Sequence, residues 1–94
     1  MENQTDVKKL LEYCINNINN EIVEALISGN SGNKNDIRTV NILITIRQQL
    51  CNMRHFLSPN LYTPSYSYIL RDQPNVSAIG NDLLTLISKY NQLE

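Results

Sequence analysis

Residues 36–57, DIRTVNILITIRQQLCNMRHFL, decide the fold, because every other segment of the chain reads as cover for this one. Leu43, Ile46, Leu50, Met53 and Leu57 recur at three- and four-residue spacing, the seam of a helix that packs against another helix. Val40, Ile44 and Cys51 line a second flank. Together the apolar residues sweep roughly 200° of the helical circumference, about twice the stripe of an ordinary surface helix. Asn41, Thr45, Gln48 and Asn52 mark the one clean polar edge. Two arginines one heptad apart, Arg47 and Arg54, fall inside the apolar arc. A competing reading exists for residues 39–46, TVNILITI, which are β-branched and would place Val40, Ile42, Ile44 and Ile46 on one face of a strand. The helix is preferred because its seam continues without a break through QQLCNMRHFL, which has no strand character.

Upstream, Leu11, Ile15, Ile18, Ile22 and Ala25 form a matching seam, widened by Val7, Leu10, Cys14 and Leu26. Thr5 suits an N-cap, Asp6 the first turn and Gly29 the residue after the last, so a helix is expected over 6–27. Asn16, Asn17, Asn19 and Asn20 are poor helix formers, so packing must hold this helix together. The polar stretch 28–35, SGNSGNKN, is a loop between antiparallel helices, with Asn35 capping a second helix over 36–57 and Asp36 behind it. Ser58-Pro59 ends that helix. Thr63-Pro64 repeats a cap followed by proline, and Tyr66, Ile69 and Leu70 share one face of a short helix over 64–71. After Pro74, Ile79, Leu83, Leu86, Tyr90 and Leu93 give a last helix over 76–92. Gly80 costs that helix about 1 kcal/mol against alanine and marks a kink, a close crossing or, with Asn81-Asp82, a later start. The expected fold class is all-α, a small helical bundle built on a long antiparallel hairpin.

Ninety-four residues with 41% hydrophobic content make one small domain. A chain of this size buries only about 60–65% of its unfolded surface, so a homodimer that adds burial is expected. A net charge of −1 and a pI near 5.7 exert no global pull toward nucleic acid or anionic membranes. No apolar run approaches the ~20 residues that span a bilayer. Cys14 and Cys51 sit inside helical patterns behind a polar start, MENQTDVKK, that lacks the order of a signal peptide, so they read as reduced thiols in the cytoplasm. The many asparagines and isoleucines have A/T-heavy codons, which suits an AT-rich genome such as that of a mobile element or virus.

The chemistry-bearing residues are sparse. Cys51 and His55, four apart, are half of a zinc site without the other half, and Cys51 lies where burial suppresses thiol reactivity. Glu12, Glu21 and Glu24 lie on different faces of the first helix, and no phosphate loop, G-x-S-x-G or H-E-x-x-H occurs. No enzyme, metal or cofactor is expected. Lys34, Arg38, Arg47 and Arg54 make residues 34–57 locally basic, with Asp36 the one acid, which supports a second reading as a nucleic-acid-binding regulator. Against it, a recognition helix turns its bases outward, whereas these arginines point with the leucines. Tyr62, Tyr66 and Tyr68 precede the next arginine, Arg71, rather than interleaving with one. Glu21 falls on the apolar side of the first helix within reach of Arg47, so an internal Glu21–Arg47 ion pair is expected. Arg54 faces Lys8 and Lys9, and must snorkel to solvent, pair with Asp72 or Asp82, or cross to another chain. The leading expectation is a non-enzymatic cytoplasmic protein-interaction module, a homodimeric regulator, inhibitor or adaptor, binding through Val40, Ile44, Arg47, Cys51 and Arg54. A third reading places an apolar ligand pocket among Phe56, Tyr66 and Tyr90.

Overall fold

The computed structural model describes residues 4–29 and 34–93, with the side chains of 28, 29 and 34–37 outside the description. The loop centred on 30–33, the capping role of Asn35 and the side chain of Lys34 therefore lie outside the described residues. Four helices follow in order: α1 (Gln4–Gly29), α2 (Lys34–Phe56), α3 (Tyr66–Asp72) and α4 (Gly80–Asn91). Among the described residues there is no strand, and residues 39–46 are helical. The fold is all-α. The seams explain why. Val7, Leu11, Cys14, Ile15, Ile18 and Ile22 of α1 are buried against Val40, Leu43, Ile46, Leu50 and Met53 of α2. Leu83, Leu86 and Tyr90 of α4, with Tyr66 and Leu70 of α3, close the same core.

α1 and α2 form the long hairpin. α4 packs on α1, α3 packs on α2, and the two short helices touch each other, so they make a second layer on one face of the hairpin. Among the described residues, no helix packs on the hairpin's opposite face.

Both short helices start later than the spacing predicts, α3 at Tyr66 instead of 64 and α4 at Gly80 instead of 76. The reason is the same in each case. Neither has a side-chain cap of its own, and the hairpin supplies one. For α3, the Ser65 N–H donates to Gln49 Oε1 at 2.8 Å, and Gln49 Nε2 donates back to Ser65 Oγ at 3.3 Å. For α4, the Glu21 carboxylate accepts from Ser77 Oγ and from the Ala78 N–H, both at 2.7 Å, while Ser77 Oγ accepts from the Ile79 N–H at 3.2 Å. These contacts satisfy donors that a helix start leaves unpaired, from side chains 16 and 56–57 residues away. Gly80 is thus a helix start rather than a kink. A Cβ there would meet only the Pro74 carbonyl oxygen at an ordinary 3.7 Å, so no close crossing requires glycine.

α2 ends at Phe56, and Leu57 takes the left-handed conformation (φ 48°) usually left to glycine, its N–H donating to the Met53 carbonyl at 2.8 Å. Its side chain is half-buried against the core, which offsets part of the strain. Tyr90 ties the far end together. Its buried ring puts the hydroxyl oxygen 2.7 Å from both the Ser58 and the Tyr62 carbonyl oxygens, which share its one proton, so α4 holds the linker between α2 and α3. Tyr90→Phe is expected to cost about 1–2 kcal/mol in a urea titration, the loss of one buried hydroxyl bond.

Candidate interaction surface

The five residues expected at an interface fall on one strip. Val40, Ile44, Arg47, Cys51 and Arg54 follow each other at spacings of four, three, four and three along α2, parallel to its core seam. Their burial grades outward from the core. Val40 is buried, Arg47 and Cys51 are half-buried, Ile44 is 39% exposed and Arg54 is exposed. The expected 200° apolar arc is therefore corrected. The second flank is split: Val40 is core and Cys51 packs half-buried against it, whereas Ile44 is at the surface. Arg54 is likewise not a buried charge. At the rim of the strip its guanidinium reaches water, and the cost that demanded a buried partner does not arise.

The strip is joined to α1 at its centre. Arg47 Nη1 donates to Asn19 Oδ1 at 3.1 Å. This replaces the expected Glu21–Arg47 ion pair. Glu21 lies on the α4 side of α1, where the start of α4 engages both its carboxylate oxygens, and Asn19 lies on the α2 side. With α1 ending at Gly29 and α2 starting at Lys34, opposed backbone positions sum to about 63, so Arg47 reaches about three residues toward the tip to meet Asn19. Side chains lean toward each helix's own N-terminus, so an arginine on α2 reaches tipward to meet its α1 neighbour. The tipward part of this face is apolar and open, with Val23 54% and Leu26 56% exposed next to Ile44. Asn19 carries no signal in a one-dimensional pattern, and its part in the strip follows only from its bond to Arg47.

Other candidate chemistry does not assemble. His55 is exposed and stands edge-on to Phe56 at 4.9 Å. Among the described residues no three His, Cys, Asp or Glu side chains gather where they could hold a metal ion. The expected pocket among Phe56, Tyr66 and Tyr90 is corrected. Tyr66 and Tyr90 are fully buried core side chains with bonded hydroxyls, Tyr66 donating to the Leu83 carbonyl at 2.6 Å, whereas Phe56 is 41% exposed and stacks on Tyr62. Tight packing fills the space a ligand would need. A cleft of about 440 Å³ does open between the end of α3 and the start of α4, lined by Leu70, Pro74, Asn75, Ser77, Ala78, Gly80, Asn81 and Leu84. No ionisable side chain lines it. No helix among the described residues is long and apolar enough to cross a membrane.

Cys14 is the one strongly perturbed thiol. Burial, with the Asp82 carboxylate nearby, pushes it from 9.0 up to about 12. Burial also raises the Tyr66 and Tyr90 phenols. These groups are held neutral in the folded chain, so their contribution is complete below pH 9 and is lost as pH rises from about 9 toward 12. Stability is expected to be flat from pH 7 to 8, then to fall by about 1 kcal/mol between pH 9 and 10 as the unfolded thiol ionises. Urea midpoints across that range check this, and Cys14→Ala removes the larger part of the fall between pH 9 and 10 while keeping the tyrosine-driven part, which grows above pH 10.

Compared with known proteins, the chain matches no family model, no curated protein and no solved structure.

Proposed function

We propose that this protein is a non-enzymatic protein-interaction module of the cytoplasm, a regulator, inhibitor or adaptor that works by docking another polypeptide on the open face of the α1–α2 hairpin. One observation carries the reading: among the described residues, Val23, Leu26 and Ile44 stay exposed on the hairpin away from α3 and α4. Grouped apolar exposure of this kind, rimmed by Arg47, Arg54 and Asn19, is the composition of a recognition patch rather than of an inert surface. A photo-crosslinking residue at position 44, compared with one at the equally exposed position 84 on α4, tests it in native lysate. Protein adducts from 44 and not from 84 support the reading, and equal yields from the two overturn it.

The nucleic-acid reading gains one observation, since Arg38 and Arg54 are both exposed. They stand on different sides of α2, however, and about 24 Å apart along it, so they do not track one phosphate backbone. Fluorescence anisotropy with random duplex at low salt separates the two readings. Binding through phosphates weakens steeply as salt rises, and no such binding is expected here.

A further inference from the structure

We draw no further inference here: the strongest candidate, the exposed apolar patch of Val23, Leu26 and Ile44 on the face of the α1–α2 hairpin away from α3 and α4, carries nothing beyond the reading above because nothing in the structure shows what covers it.

Discussion

Leu50→Ala is expected to destabilise the protein by about 2–5 kcal/mol, the largest loss from any single truncation on α2. Leu50 is fully buried between Ile46 and Met53 on the seam that meets α1, so its removal takes away transfer energy and leaves a cavity that the hairpin cannot close. A chain of this length has only about 5–14 kcal/mol in total, so the variant sits near the folding threshold, and its melting temperature falls by roughly 10–30 °C. The control is Leu84→Ala. It deletes the same atoms from a leucine that is 44% exposed on α4, and is expected to cost well under half as much. Thermal and urea unfolding of both variants check the contrast. Equal losses would mean that α2 is not the centre of the core.

That contrast shows which part of the fold can be read from residue spacing. The seams of α1, α2 and α4 are period-3.6 patterns with apolar side chains at each step, and burial follows them residue by residue through Ile18, Leu50 and Leu86. Spacing also placed Val40, Ile44, Arg47, Cys51 and Arg54 on a common strip. It could not say whether that strip is core or surface, because the answer depends on where two short helices dock, a long-range fact. Arg54 is the case in point. Its helical position falls beside the leucines, yet it is exposed because nothing packs on that side of the hairpin.

Helix boundaries failed for a related reason. Thr63-Pro64 is a sound local start signal, but Gln49 on α2 claims the Ser65 N–H and moves the start of α3 to Tyr66. Local capping rules assume a local cap. Here the long hairpin caps both short helices, so the same two side chains that satisfy their ends also position them. Gln49 and Glu21 look like unremarkable polar residues in sequence, and neither the α3 nor the α4 start is legible without them.

Glu21→Ala is expected to cost about 1.5–3 kcal/mol, the range for hydrogen bonds to a charged group, and to loosen α4 from α1. Two donors lose their acceptor at once, the Ala78 N–H and the Ser77 hydroxyl, and Ser77 is only 6% exposed, so water does not readily take the carboxylate's place. Glu21→Gln is expected to cost about half as much or less, since its amide oxygen still accepts from Ala78 and its NH₂ can donate to the Ser77 oxygen, with only the charge assistance lost. Hydrogen exchange at the Ala78 amide reports the change directly, with protection lost in the alanine variant and largely kept in the glutamine one. Two double-mutant cycles then separate this cap from the ion pair that residue spacing suggests. Glu21 coupled to Ser77 by about 1 kcal/mol, and uncoupled from Arg47, is the expected outcome. Coupling to Arg47 instead would return Glu21 to the face of the hairpin that Arg47 shares with Asn19, and α4 would then need some other group to hold its start.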